Sequence, residues 1–288
     1  TVSPTWYKVT DAKGSISSMA DWDYISTVHD AGMEIWPLIS DFTSIDADAG
    51  WDEAKLFANT ASRRNLISNI INEIKTYGYD GINIDFEKVP SDSAVDYRQF
   101  IRELSIECRK AGVVFSLDNY VPRPYNAQYS RDVQAECADY VVVMGYDEHY
   151  AGGDEAGSVA SIDFVTDGID GTLKEVPKEK LINALPFYTR LWMESTDENG
   201  NVKLSSKTYS MQGALDIVAE LGTGMEWDEE VGQYVAFGEV DGVKYSIWLE
   251  EDESIKAKMK IVRERELAGI SGWCLGMEKP SVWDVITE

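Results

Sequence analysis

The stretch that decides the fold is Asp80-Gly-Ile-Asn-Ile-Asp-Phe-Glu87. In an extended strand successive side chains point to opposite faces, so Asn83, Asp85 and Glu87 share one face and the apolar residues between them share the other. A parallel sheet covered by helices accommodates such a strand. We therefore expect the apolar face to pack against helices and the polar face to point toward the axis of a closed barrel.

The rest of the chain alternates between strand-like and helix-like runs, which predicts βα units and a parallel sheet. Helical patterns occupy about 56–77, 94–111 and 254–265, and Gly112 is placed to end the second of them. We predict an α/β fold of the (β/α)8 TIM-barrel type. Its strand-like runs are 1–7, 34–39, 81–87, 113–119, 140–146, 181–188 and 270–275.

One region interrupts the alternation. Residues 193–252 are polar and mixed in pattern, with a turn signal at 197–200 and a strand-like run around Trp248. We predict a small α+β insertion over 193–252, and a barrel formed by 1–192 and 253–288. The strand-like runs supply seven barrel strands, whereas an eight-stranded barrel needs one more. The eighth strand is either the run around Trp248 or a first strand that precedes Thr1. We favour the second.

Composition limits the classes of function. The 288 residues carry a formal net charge of -25, which repels nucleic acids and anionic membranes, and 44% of them are hydrophobic. No apolar run approaches the roughly 20 residues of a membrane-spanning helix. The three cysteines lack metal-site spacing, so we expect no disulfide framework, no metal and no cofactor. We expect the protein to act as a monomer.

The polar face of the decisive strand points to acid–base chemistry. Asp85 and Glu87 lie roughly 7 Å apart along a strand, so each influences the titration of the other. One carboxyl should be pushed toward its protonated form, which is what a general acid needs near neutral pH. We assign Glu87, at the rim, as the acid and Asp85 as its partner. The alternative is a strand whose acidic face is merely solvated.

Four motifs carry a resemblance to a known family. Asp80–Glu87 resembles the DxxDxDxE signature of glycoside hydrolase family 18, the chitinase-like barrels, and Met144-Gly-Tyr-Asp147 resembles the family's MxYD motif. Gly272-Trp-Cys-Leu-Gly276 is similar to its eighth strand, and Ala184-Leu-Pro-Phe-Tyr188 to its seventh, after which the family carries an insertion. The resemblance covers nearly the whole chain and implies that a first strand is missing from it.

The resemblance implies a mechanism in which the 2-acetamido group of the substrate is the nucleophile. Glu87 then protonates the glycosidic oxygen and later activates water, while Asp85 accepts a hydrogen bond from the acetamide N–H. Tyr146 is the third catalytic residue and donates to the acetamide oxygen. Asp147 is implied to contact the same sugar, and Trp273 to form an apolar floor beneath it.

Asn83 departs from the family pattern, which has an aspartate there that shares a proton with its neighbour. We assign Asn83 to substrate binding and expect it to hydrogen-bond Asp85. Because an amide removes one negative charge, we expect Asp85 to ionise more readily.

Other polar residues near strand ends have two interpretations each. Tyr188 and Arg190 either bind substrate or form a structural ion pair. Asn119, together with Asp118, ends a predicted strand and is either a residue lining the site or a structural one. For His149 we favour packing of a loop over a metal-binding role.

The variants NIDFE, MGYDEHY and PFYTRLW resemble the bacterial branch that acts on spore-cortex peptidoglycan. We therefore expect a glycosidase that cleaves β-1,4 bonds next to N-acetylglucosamine by substrate-assisted retaining catalysis. Its partner is then a polysaccharide or glycan strand, and its location is extracellular, at the cell wall or spore. The alternatives are a chitinase acting on chitooligosaccharides and a non-catalytic, lectin-like protein on the same barrel.

Overall fold

A computed structural model describes residues 1–41 and 52–288, and the chain divides into two compact units. The first unit comprises Thr1–Val142 and Thr172–Leu181. The second comprises Val143–Gly171 and Ile182–Glu288.

The first unit is built around parallel strands. Its strands are β1 Thr5–Val9, β2 Ile16–Ser18, β3 Leu38–Ser40, β4 Gly81–Asp85, β5 Val114–Tyr120 and most of β6 Tyr140–Met144. Their order in the sheet is β6-β5-β4-β3-β1-β2. Strands β1, β3, β4 and β5 pair in parallel, and β2 pairs antiparallel with β1. Its helices are α1 Trp22–Asp30, α2 Glu53–Ala58, α3 Thr60–Tyr77, α4 Ala94–Ala111 and α5 Arg131–Cys137.

Strand β4 has the two faces that its sequence predicts. Ile84 and Phe86 are fully buried in a core shared with residues of α3 and α4. The ring of Phe86 stacks on Phe100 of α4 at 5.8 Å between centroids and lies 6.1 Å from that of Phe57 of α2. This apolar packing fixes the direction in which the opposite, polar face of β4 points.

The two long helices begin and end where local chemistry dictates. The predicted helix over 56–77 is divided at Asn59, whose side chain accepts hydrogen bonds from the first turn of α3. Both α3 and α4 end at glycines with left-handed backbones, Gly78 at φ 68° and Gly112 at φ 74°. A residue with a Cβ is strained in that conformation, so each glycine is a firm C-terminal stop.

The second unit combines a parallel pair with an antiparallel sheet. Its elements are α6 Ile162–Thr172, β7 Leu181–Pro186, β8 Tyr188–Thr196, β9 Val202–Ser210, α7 Met211–Glu220, β10 Glu226–Asp228, β11 Gln233–Val240, β12 Val243–Leu249, α8 Asp252–Glu264, β13 Gly269–Trp273 and α9 Val282–Thr287. Helix α6 and strand β7 each cross the unit boundary by one residue. Strand β13 pairs in parallel with β7, and a separate sheet has the order β10-β11-β12-β8-β9.

These elements decide one of the alternatives raised by the sequence. The strand around Trp248 is β12, which pairs antiparallel with β8 and β11 and therefore is not an eighth parallel barrel strand. The antiparallel sheet spans 188–249, and the division of the chain into a barrel and an insertion over 193–252 stays a prediction. A first strand preceding Thr1 stays a prediction as well.

No helix in the described part of the chain is both long enough and apolar enough to cross a lipid bilayer.

Replacement of Phe86 by alanine should remove the packing that orients β4. We expect Phe86→Ala to lower the free energy of unfolding by about 3–5 kcal/mol, because it leaves a cavity beside the rings of Phe57 and Phe100. Urea denaturation followed by circular dichroism measures this. Val95→Ala in the exposed face of α4 is the matched control, with an expected change within about 0.5 kcal/mol. Equal losses in both variants would contradict the assigned core.

Candidate active site

The carboxyl end of β4 brings three polar side chains to one face. The strand ends at Asp85, and Glu87 follows two residues later, past the buried Phe86. Asn83 is almost completely buried, whereas Asp85 and Glu87 are partly exposed. The site thus runs from a buried amide to accessible carboxyls over a single strand end.

Asn83 contacts the neighbouring strand instead of Asp85. Its Nδ2 donates to Asp118 Oδ2 at 2.8 Å, and its Oδ1 accepts from the Ser116 hydroxyl at 2.7 Å. The prediction that Asn83 hydrogen-bonds Asp85 is wrong, because the β4–β5 pairing places Ser116 directly opposite Asn83. The amide of Asn83 is therefore buried and hydrogen-bonded at both its oxygen and its nitrogen, and its assignment to substrate binding stays a prediction.

Asp85 keeps its proton more firmly than the sequence suggested. Burial raises the pKa of Asp85 well above its ordinary value, and the negative charges of Asp118, Glu87 and Asp41 raise it further. The expectation that Asp85 ionises readily is therefore wrong, because Asp118 supplies the like charge that Asn83 lacks. Its Oδ1 is buried and, among the described residues, has no hydrogen-bond partner.

Asp118 has the same inward direction as Asp85 and a perturbed pKa. Burial raises the pKa of Asp118 to about 7, the hydrogen bond from Asn83 lowers it in part, and the charge of Glu87 raises it. A carboxyl with a pKa near 7 exchanges its proton at physiological pH, which an ordinary aspartate does not.

Glu87 is held from two sides. Tyr120 is the last residue of β5, and its hydroxyl donates a hydrogen bond to Glu87 Oε2. The backbone N–H groups of Glu87 and Lys88 donate to the two carboxylate oxygens of Asp41, at 3.0 and 2.8 Å. The backbone and side chain of the assigned acid are therefore fixed by different strands.

Asp41 is a site residue that sequence reasoning missed. It follows β3 directly and is only 2% exposed. Burial raises the pKa of Asp41 to about 6, the two backbone hydrogen bonds oppose that rise, and the charges of Glu53 and Glu87 add to it. An aspartate two residues beyond the strand-like run 34–39 was the available signal, since polar residues at the carboxyl ends of parallel strands gather at one edge.

Asn119 does not belong to this cluster. Side chains of β5 alternate, so Asp118 and Asn119 point to opposite faces, and Asn119 is buried against α5. Its amide exchanges hydrogen bonds with Gln134 at 2.6 and 2.9 Å. The assignment of Asn119 to substrate binding is therefore wrong.

In the second unit, three predicted residues lie around the end of β6. Tyr188 is buried, its hydroxyl donates to Asp147 Oδ1 at 2.5 Å, and its ring meets that of Tyr146 edge-on at 6.2 Å. Burial raises the pKa of the Tyr188 hydroxyl, and the charge of Asp147 raises it further. Asp147 has a left-handed backbone at φ 59°, which places its carboxylate beside Tyr188.

Arg190 and Trp273 have different surroundings. The Nη1 of Arg190 donates a hydrogen bond to the Ser206 hydroxyl at 3.4 Å. Among the described residues, the buried Nε of Arg190 has no hydrogen-bond partner, and its guanidinium forms no ion pair. Trp273, at the end of β13, is 40% exposed and so presents an apolar face to solvent. His149 hydrogen-bonds the Ser158 carbonyl at 2.8 Å, as packing of a loop requires.

The carboxyl cluster of the first unit is suited to moving protons. Four acidic groups lie at the ends of three adjacent strands, and three of them have raised pKa values. Within residues 1–41 and 52–288, no group of three or more histidine, cysteine and acidic side chains is arranged to hold a metal ion. The raised pKa values of Asp41, Asp85 and Asp118 favour acid–base chemistry.

Comparison of the sequence with known families gives one extended match. The family model for glycosyl hydrolases family 18 matches residues 47–278. A cortical fragment-lytic enzyme of Bacillus subtilis (strain 168) is 26% identical over 256 residues, which cover 85% of this chain and 58% of that protein. The chain therefore spans a little more than half the length of this relative.

Solved structures share the fold. A chitinase from Chromobacterium violaceum superposes with a TM-score of 0.86 at 23% identity, over 99% of this chain and 90% of that one. The spore cortex-lytic enzyme SleL of Bacillus megaterium gives a TM-score of 0.86 at 20% identity, over 99% of this chain and 66% of that one. These likenesses confirm the predicted chitinase-like α/β barrel class.

The role of Asp41 is open to a direct test. Asp41→Asn keeps one acceptor oxygen but turns an NH2 toward the second backbone N–H, so the segment that carries Glu87 should shift. We expect kcat to fall by up to about 10²-fold with a smaller change in KM, as misplacement of a reacting group does.

Asp139→Asn is the matched control for that variant. Asp139 also accepts a backbone N–H, from Phe115 at 2.9 Å, but it precedes β6 and lies away from the strand ends that carry the cluster. This control should lose stability without losing kcat. Steady-state kinetics and thermal unfolding of both variants decide the matter, and a wild-type kcat in Asp41→Asn would overturn the assignment.

Proposed function

The chain belongs to glycosyl hydrolases family 18, and on that premise we propose that it cleaves β-1,4 glycosidic bonds next to N-acetylglucosamine in peptidoglycan, with spore-cortex peptidoglycan as its substrate. The observation that carries the proposal is the buried Oδ1 of Asp85, which has no hydrogen-bond partner among the described residues. A buried polar atom without a partner costs about 1–3 kcal/mol, so a ligand that supplies the missing partner is favoured.

The acetamide N–H of an N-acetylated sugar is such a partner. It donates to Asp85, which then holds the acetamide in one orientation. An acetamide fixed in this way has its carbonyl oxygen directed at the anomeric carbon of the same sugar. Attack is then intramolecular, which removes several kcal/mol of the entropic part of the barrier.

The position of the carboxyls favours this route over the two-carboxylate mechanism. Enzymes with a carboxylate nucleophile place their two carboxyls on opposite sides of the scissile bond. Asp85 and Glu87 lie on one face of one strand end, so they do not flank a sugar in that way. The resemblance to family 18 implies instead that the substrate's own acetamide is the nucleophile and that the configuration at the anomeric carbon is retained.

Glu87 is the general acid in this account. It donates a proton to the glycosidic oxygen as the bond breaks, and takes one from water as the oxazolinium intermediate is hydrolysed. The hydrogen bond from Tyr120 and the anchoring of its backbone by Asp41 hold Glu87 in place during both steps.

The remaining roles are proposed from the motifs that resemble those of the family. Tyr146 donates to the acetamide oxygen, Asp147 and Arg190 contact the sugar chain, and Trp273 offers its exposed ring to the apolar face of a pyranose. Tyr188 acts through its hydrogen bond to Asp147.

The choice of glycan rests on the relatives. The Bacillus subtilis relative is a cortical fragment-lytic enzyme, and a Bacillus megaterium structure with the same fold is a spore cortex-lytic enzyme. Peptidoglycan is an extracellular polymer, so we place the activity outside the cytoplasm, at the cell wall or spore. Chitin is the second candidate because a bacterial chitinase shares the fold.

Replacement of Glu87 tests the proposal. Glu87→Gln keeps the shape of the side chain but supplies no acidic proton, so turnover of cortex fragments should fall by about 10²–10⁴-fold. Release of reducing ends from purified cortex fragments and from chitooligosaccharides measures it. Glu107→Gln, on the exposed side of α4, removes the same charge and should keep wild-type turnover.

Each outcome of that assay has a meaning. Turnover of cortex fragments but not of chitooligosaccharides supports the proposed substrate, and the reverse supports a chitinase. Tight binding of either glycan by the wild-type protein, with no release of reducing ends, would show a lectin-like protein and overturn the proposal.

A further inference from the structure

We propose that Asp118 is a positioning residue that takes up the proton of Asp85 when Asp85 accepts the acetamide N–H of the substrate. This inference rests on the proposed function and names the group that makes Asp85 available as an acceptor. The four observations that carry it are the register of two strands, the anchoring of Asn83, the sign of the surrounding charges and the unpartnered oxygen of Asp85.

The register of β4 and β5 brings the two carboxyls together. The strands run in parallel, with Asn83 opposite Ser116 and Ile84 opposite Leu117. The same register continues to Asp85 and Asp118, which therefore leave neighbouring strands, about 4.8 Å apart, on the same face. Two carboxyls at such a spacing do not both ionise readily, and they titrate as a pair.

The hydrogen bonds of Asn83 determine which carboxyl of the pair carries the negative charge. Its amide donates to Asp118 Oδ2, while the Ser116 hydroxyl holds its oxygen. A donor aimed at Asp118 favours the charged form of Asp118, and no donor among the described residues reaches Asp85 Oδ1. Before substrate arrives, the charge therefore rests on Asp118 and the proton on Asp85.

Among the described residues, the charged groups that act on the pair add no positive charge. The three charges that act most on Asp85 are those of Asp118, Glu87 and Asp41, all of them negative. The remaining titratable groups are phenols that feel these carboxyls and have raised pKa values: Tyr97 of α4, Tyr120 of β5 and Tyr129 ahead of α5. A proton shared by the pair is what limits the negative charge at this place.

Binding of an acetamide reverses which of the two carboxyls is ionised. Its N–H donates to Asp85 and favours the ionised form of that carboxyl. The O–H bond of Asp85 breaks, an O–H bond forms on Asp118, and the single negative charge moves from Asp118 to Asp85. No other reactant takes part. Burial raises the pKa of Asp118 to about 7, so this carboxyl is basic enough to accept the proton.

Asp118→Asn is the first variant of the test. It keeps the shape of the side chain and an oxygen that Asn83 can bond, but it cannot take up a proton. With its negative neighbour gone, Asp85 should titrate lower, so the corresponding inflection in the kcat–pH profile should move by about 1–3 pH units toward acid. Asp30→Asn, at the exposed end of α1, removes one charge elsewhere and should leave the profile unchanged.

The exchange variant, Asn83→Asp with Asp118→Asn, distinguishes a loss of proton uptake from a structural defect caused by Asp118→Asn. It moves the second carboxyl from β5 to β4 and keeps one carboxyl and one amide beside Asp85. Both kcat and the pH profile should return toward wild type relative to Asp118→Asn alone. A wild-type profile in Asp118→Asn, or an exchange variant that restores the melting temperature but not the profile, would overturn the proposal.

A measurement without substrate keeps this inference independent of the proposed function. The folded protein holds on the Asp85–Asp118 pair a proton that the unfolded chain releases above about pH 4, so stability should fall as pH rises from about 4 to about 7. Asp118→Asn should reduce that slope, and Asp30→Asn should not. An unchanged slope in Asp118→Asn contradicts the proton pair, whereas absence of glycan turnover in the wild type contradicts only the proposed activity.

Discussion

Two carboxyls, Asp85 and Asp118, lie side by side at the ends of neighbouring parallel strands, and the chemistry of the site depends on how their repulsion is relieved. Burial alone makes a carboxylate costly, and a second one beside it makes it more so. Asn83 donates a hydrogen bond to Asp118, and burial together with the neighbouring negative charges raises the pKa of Asp85 well above its ordinary value, which favours a proton on that carboxyl. A site built in this way changes its charge distribution when a ligand offers a new donor.

The fold makes this arrangement possible through the two faces of β4. Ile84 and Phe86 are held by the helices on one side, so the alternation of the strand directs Asn83, Asp85 and Glu87 to the other. Asp41 then fixes the segment beyond the strand by accepting two successive N–H groups. Apolar packing therefore sets the direction of these polar side chains, and hydrogen bonds set their final positions.

Much of this was predictable from the sequence because it depends on periodicity within single elements. The alternation of residues 80–87 predicted both faces of β4, and the apolar stripe of 94–111 predicted α4 with its glycine stop. Contacts between elements were not predictable in the same way. The partner of Asn83 follows from the register of β4 against β5, which fixes Ser116 opposite Asn83 and which no local pattern encodes. Asn119 was misassigned because a shift of one residue along a strand moves the side chain to the opposite face of the sheet. Asp41 was missed because only the pairing of β3 with β4 brings it to Glu87.

The central claim, that a buried aspartate pair holds a proton near neutral pH, is tested most directly by carbon-13 NMR of protein labelled at the aspartate carboxyl carbons. Titration of the free protein should show one carboxyl that changes its chemical shift near pH 7, and this resonance should be absent from Asp118→Asn. If Asp118→Asn removes no resonance that titrates above about pH 5, the pair holds no such proton and the account is wrong.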